Sequence, residues 1–250
     1  MRGFASLQRK IAHAACVASA IAAAVACCVR PALADQATFG ATLDPLFGTH
    51  AEGGGRTEFG GVPIATLEGS YRHGALEVYA EGLPPFVSIP SYGTLGRLDT
   101  TLAFVFVAVR AYDPTGHVSL GIGLTRFTND TTYVRFSERD RSHLSGLRYE
   151  FHVDVPLSRG SLEASAIASP SLPGGIDRSY AAAGRTYHDG TTESGADVEA
   201  IGRYVLRSGP GDVLLGARYI NFAARFPDGS QADRNRGVAI VLGYRFRLAP

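Results

Sequence analysis

The run 237–248 sorts into two faces without an exception. Val238, Ile240, Leu242, Tyr244, Phe246 and Leu248 fall on one side of a strand, and Gly237, Ala239, Val241, Gly243, Arg245 and Arg247 on the other. Side chains alternate across a strand with period two, so one face is a continuous apolar row and the opposite face is small or cationic. In a soluble sheet the apolar row would cover a core and the Arg face would meet water. In a membrane barrel the same row meets lipid and the Arg face lines the lumen.

The rest of the chain repeats the pattern. In 144–155 the row Leu147, Tyr149, Phe151, Val153, Val155 opposes Gly146, Arg148, Glu150, His152, Asp154. Similar alternation runs through 75–83, 117–125 and 197–207. Short turns join these runs in pairs at 72–74, 113–116, 156–160 and 208–211. Of these, Asp113-Pro114-Thr115-Gly116 is a good turn sequence. Longer polar segments, 45–60, 84–99, 128–143, 170–196 and 225–236, fall between the hairpins and read as loops. With an opening run at 36–44, the spacing predicts ten strands, both termini on the short-turn side, and no helix; eight is the alternative count. Most runs hold nine to thirteen residues, against about 9–11 tilted residues for a bilayer span. Tyr71, Phe127, Tyr204, Tyr244 and Phe246 stand near run ends, where an interfacial girdle would want them. One stretch dissents: residues 102–109 are apolar on both faces, which suits a strand buried on both sides.

The first 34 residues read as a cleavable export signal. A basic start (Arg2, Arg9, Lys10) precedes an uncharged Ala/Val/Ile/Cys-rich stretch and the end Ala32-Leu33-Ala34. The same stretch is long enough for a membrane anchor. Residues 35–250 then form one domain without cysteine, because Cys16, Cys27 and Cys28 all lie in the leader. That excludes a disulfide framework, a thiolate metal site and a Cys nucleophile. Four of the 24 basic residues (Arg2, Arg9, Lys10, Arg30) also lie there, leaving 20 against 23 acids, a net charge of −3. Nothing in that balance calls for nucleic acid.

Together the leader, the even hairpin count, the alternating connections and the terminal row resemble the bacterial outer-membrane β-barrel class. The resemblance implies an all-β, antiparallel up-and-down transmembrane barrel in the outer membrane, a monomer surrounded by outer-membrane lipid. It also implies handling by the barrel-insertion machinery, which the row Val238 to Leu248 resembles a signal for. The chain departs from that signal by ending Phe-Arg-Leu-Ala-Pro instead of at an aromatic residue.

Turned inward, the polar faces fill the lumen with Glu68, Glu77, Glu81, Arg148, Glu150, His152, Asp154, Glu163, Asp197, Glu199, Arg203, Arg207, Arg218, Arg245 and Arg247. A barrel of this size is barely wider inside than its side chains, and isolated charges there are costly. The expected outcome is a salt-bridged core with a structural role, or a narrow polar pore. Two other readings stand beside these. One is a soluble, exported lipocalin-like barrel binding an apolar ligand, with 102–109 as its best support. The other is an outer-membrane lipid hydrolase using His152 with Ser145 or Ser165; no Gly-x-Ser-x-Gly elbow accompanies them. No cofactor or metal is expected, although Asp228 to Asp233 alternates oxygen donors that could hold Ca²⁺. In 128–143, Arg135, Arg139 and Arg141 could contact lipopolysaccharide phosphates.

Overall fold

The computed structural model describes residues 36–52, 55–83, 88–93, 96–135, 137–182 and 185–248; the expected leader lies outside them. Eleven strands follow one another, β1 (Gln36–Glu52), β2 (Gly55–His73), β3 (Leu76–Leu83), β4 (Ser88–Gly93), β5 (Gly96–Tyr112), β6 (Val118–Tyr133), β7 (Glu138–Leu157), β8 (Gly160–Ala182), β9 (Arg185–Ser208), β10 (Gly211–Arg225) and β11 (Gln231–Leu248). All pair antiparallel with their neighbours. β11 pairs back to β1, and β3 pairs with both β2 and β5, so the sheet closes on itself. Because β3 and β4 lie successively along β5, they form one stave. The barrel therefore has ten staves, as the hairpin count predicts.

Closure leaves each strand one face for lipid and one for the lumen. The terminal row faces out: Val238, Ile240, Leu242, Phe246 and Leu248 are all exposed, opposite buried Ala239 and Val241. Val198, Leu120, Ile122, Leu147, Tyr149 and Phe151 continue the apolar surface around the wall. This arrangement overturns the soluble lipocalin-like reading, whose large apolar rows would point inward.

The stretch 102–109 is apolar on both faces because its inward side chains are packing groups: Phe104 joins an apolar cluster, and Phe106 packs against Tyr79 and carries the Arg148 guanidinium on its ring. Val105 (57 % exposed) and Val107 face out, while Phe106 (0 %) and Ala108 are buried in the lumen. Phe127 also departs from expectation. It faces inward, 5.4 Å from Phe222 between ring centroids, and does not join an interfacial girdle.

Most of the segments expected as loops are strand. β1 runs on to Glu52, β6 to Tyr133, and β8 and β9 reach 23 and 24 residues, well past a membrane span. Above the bilayer neither face meets hydrocarbon, so the apolar alternation that marks a strand disappears while the backbone ladder continues.

The short-turn end matches the sequence closely. At 113–116 the Asp113 carboxylate accepts from the Thr115 hydroxyl (2.5 Å) and from the backbone N–H of His117 and Val118 (both 2.9 Å). Those bonds, the Thr115 hydroxyl foremost, hold the Asp113 carboxyl down at about 2. Gly116 takes φ 75°, a left-handed conformation that glycine adopts without steric cost.

Candidate functional site: the filled lumen

The lumen is layered along the barrel axis. At the short-turn end a polar vestibule of about 220 Å³ is lined by Arg72, Tyr112, His152, Asp154 and Arg207, among others. Above it lies a lattice of ion pairs. Arg203, on β9, crosses the barrel to donate from Nη1 to Glu68 of β2 and from Nε to Glu163 of β8, both at 2.7 Å. Arg245 donates to the other oxygen of Glu163 at 2.8 Å. Arg247 donates through Nε to Asp212 at 3.1 Å. Arg110 bridges Glu77 (3.0 Å) and Glu150 (2.6 Å), and the Tyr112 hydroxyl also donates to Glu77.

The next layer is the waist. Arg218, on β10, reaches across to Glu81 of β3 and lies 4.0 Å from Asp44 and 3.9 Å from Glu199. Arg148, only 1 % exposed, donates to Glu199 at 3.1 Å and stacks over the Phe106 ring at 3.8 Å. Arg110 stacks likewise over Tyr79, whose hydroxyl donates to Glu81 at 2.9 Å. Asp197 is buried one inward position from Glu199. The void beside the waist, lined by Tyr79, Glu81, Arg110, Glu150 and Arg203 among others, holds about 10 Å³. That is near the lower limit for one water molecule. Gly121 makes room for this packing, since a Cβ there would lie 3.2 Å from Arg110 Cγ and 3.3 Å from Glu150 Cβ.

Above the waist the lumen turns apolar. Leu46, Ile64, Leu83, Phe104 and Ile220 form one cluster, and Leu144, Leu172, Phe222 and Phe127 another. Between them lies a chamber of about 90 Å³. A polar crown closes over it: His50 Nδ1 to Asn235 (2.7 Å), Asn129 donating to Asp233 (2.7 Å), Ser142 donating to Glu193, and Thr100 with Thr131 (3.1 Å).

All fifteen polar residues expected in the lumen fall on the inward side of their strands. Arg207 is the one left exposed, at the vestibule mouth. Sequence reasoning missed Arg110, Asp212, Asp44 and Tyr112, and it missed the apolar chamber entirely. Parity held the signal for Arg110, which shares the face of Phe104, Phe106 and Ala108.

The chemistry expected of single residues is rearranged. His152 Nδ1 lies 2.9 Å from Ser165 Oγ, and its ring meets Tyr112 edge-on, while Ser145 stands on the opposite, outward side of β7. Asp228 accepts from the N–H and hydroxyl of Ser230 in an exposed turn, whereas Asp233 is buried in the crown, so the two do not converge on an ion. Arg139 and Arg141 both bind Asp130, at 2.5 Å and 3.0 Å.

A closed antiparallel barrel with an apolar exterior and a charged, packed interior defines the bacterial outer-membrane β-barrel class, and this chain has that fold. The solved structures similar to it include the outer-membrane protease OmpT from Escherichia coli, at a TM-score of 0.58 and 9 % identity over 85 % of this chain and 97 % of that one. Another is the translocator domain of the autotransporter NalP from Neisseria meningitidis, at a TM-score of 0.42 and 13 % identity over 96 % and 98 %. No protein-family model and no curated protein matches the chain.

Proposed function

We propose that this outer-membrane barrel is non-conducting and non-enzymatic, and that its charged waist is a structural plug. The observation that carries this reading is the waist itself, where side chains from opposite walls leave about 10 Å³ beside Tyr79 and Arg203. A hydrated ion needs a continuous water path, and a void of one water is not a path. Each guanidinium there also meets carboxylates, so the layer is held by charge-assisted bonds rather than by loosely placed side chains. On this reading the fifteen inward residues act in stability, and the narrow pore is the alternative that the conductance test addresses. The surrounding partner is outer-membrane lipid, contacted by the apolar rows of a single barrel. The row Val238 to Leu248 serves as the insertion signal. Arg135, Arg139 and Arg141 are the residues to test for lipopolysaccharide phosphate, with Asp130 offsetting part of their charge.

The test is reconstitution of folded protein into planar lipid bilayers. Folding is checked by a gel band that shifts on boiling. Folded protein that gives no conductance steps is the expected result. Discrete steps from the unmodified barrel would overturn the plug and establish a pore.

A further inference from the structure

The waist carries more negative charge than its own residues balance. Four buried carboxylates, Asp44, Glu81, Asp197 and Glu199, stand there beside two buried guanidiniums, Arg148 and Arg218. The ion-pair lattice on the short-turn side has no cation to spare. Its Arg110, Arg203, Arg245 and Arg247 are engaged by Glu68, Glu77, Glu150, Glu163 and Asp212. Uncompensated charge in a low-dielectric interior is costly, so it draws a counterion or a proton.

Two of these carboxylates, Asp44 and Glu199, line the apolar chamber at its waist end. Each keeps a buried oxygen, Asp44 Oδ1 and Glu199 Oε2, that accepts no hydrogen bond. Asp44 meets the Thr66 hydroxyl at 3.4 Å and Arg218 at 4.0 Å, both through its other oxygen. The side wall is apolar, with Leu46, Ile64, Leu144 and the rings of Phe104, Phe127 and Phe222. Those rings follow one another, with centroids 6.1 Å apart from Phe104 to Phe127 and 5.4 Å from Phe127 to Phe222. Aromatic faces attract cations as well as apolar groups. Among the described residues no three side chains converge on a metal ion. The chamber therefore suits a cation with an apolar body better than a bare ion.

From this arrangement we infer that the chamber is a binding site for a small alkylammonium ion. Its nitrogen donates to Asp44 Oδ1 and faces Glu199, and its carbons lie against the phenylalanine rings. An apolar cavity of about 150 Å³ takes up benzene. The chamber's volume of about 90 Å³ thus suits a guest of roughly four heavy atoms. Such uptake needs no permanent channel. The crown is held by side-chain bonds, His50 to Asn235 and Asn129 to Asp233, which part by rotation without breaking a backbone ladder.

The sequence holds no tryptophan, so Phe222→Trp places a single emitter in the chamber wall. The barrel carrying it is folded into detergent micelles and checked by the boiling-dependent gel shift. It is then titrated with n-propylammonium chloride, with sodium chloride and 1-propanol at equal concentration as controls. A saturable emission change with n-propylammonium alone is expected. In the same background Asp44→Asn should weaken binding about tenfold or more. Ala239→Leu, which fills the chamber, should abolish it. The unmodified barrel gives a second reading, in which n-propylammonium raises the urea midpoint above its value in sodium chloride. A folded barrel that shows neither change overturns the site, its excess charge being met by bound protons instead. An equal response to 1-propanol overturns the cation as ligand, and an equal response to sodium overturns the organic body. Binding that survives both Asp44→Asn and Ala239→Leu lies elsewhere and also overturns the site.

Discussion

Removing Arg218 tests whether the waist is dry. The Arg218 guanidinium is bonded to Glu81 and lies within 4.0 Å of Asp44 and 3.9 Å of Glu199, all buried. In Arg218→Ala, Arg148 still reaches Glu199 at 3.1 Å, but Glu81 and Asp44 lose their nearest cation. Breaking a buried ion pair from one side costs about 3–5 kcal/mol, because a charge is left without compensation in low dielectric. An exposed pair costs about 0–1 kcal/mol. The two cases are therefore well separated. Urea unfolding from lipid vesicles, followed by the loss of the boiling-sensitive band, reads the difference as a lowered midpoint at constant slope. A loss below about 1 kcal/mol, the value for a solvated pair, would mean that water reaches Arg218 and would refute the sealed waist.

Further outcomes follow from other parts of the barrel. Phe106→Ala removes a fully buried ring that also carries the Arg148 stack, and should cost about 3–5 kcal/mol in the same urea assay. Ile122→Arg, at a position 52 % exposed on the apolar exterior, should cost about 2–4 kcal/mol if that side meets the bilayer midplane, whereas a water-facing position would tolerate it. At the 113–116 turn, the Asp113 carboxyl should titrate near 2 by NMR, and Thr115→Val should raise its midpoint. Because the folded value lies below the unfolded 3.8, the turn's contribution is complete above 3.8 and fades as pH falls through about 2. An unmoved Asp113 midpoint in Thr115→Val would remove the hydroxyl as the cause.

Period two was readable wherever one face meets lipid and the other meets charge. Rows such as Val238 to Leu248, and Leu147 to Val155 against Arg148 to Asp154, fixed strand, face and lumen together. The signal failed where the two environments become alike. At 102–109 the inward side chains are apolar as well, Phe104 within an apolar cluster and Phe106 as the ring under Arg148, so they could not be separated from Val105 and Val107. In 128–143 and 170–196 the outward side carries polar residues such as Arg139 and Arg141, and most buried inward positions are polar too, among them Asn129, Thr131, Asp140, Ser142 and Glu193, so the few inward apolar residues such as Leu172 and Ile176 made no alternating row. Which ions pair was not readable at all. The partnership of Arg203 with Glu68, or of Arg218 with Glu81, depends on the stagger of staves that are distant in sequence and opposite in the barrel.

That last feature bears on how the barrel forms. Glu81 and Arg218 are separated by 137 residues, and Glu68 and Arg203 by 135. Neither contact can exist in a lone hairpin or a half-built sheet. Until β11 meets β1, these charges face an open trough and keep their hydration. The spokes therefore belong to the last event of assembly, when the ring shuts and water leaves the middle. Interactions made after the rate-limiting step govern how fast a fold is lost and hardly affect how fast it is gained. The lumenal charges then work as a latch: weakening one should leave insertion at its usual pace and shorten the lifetime of the finished barrel.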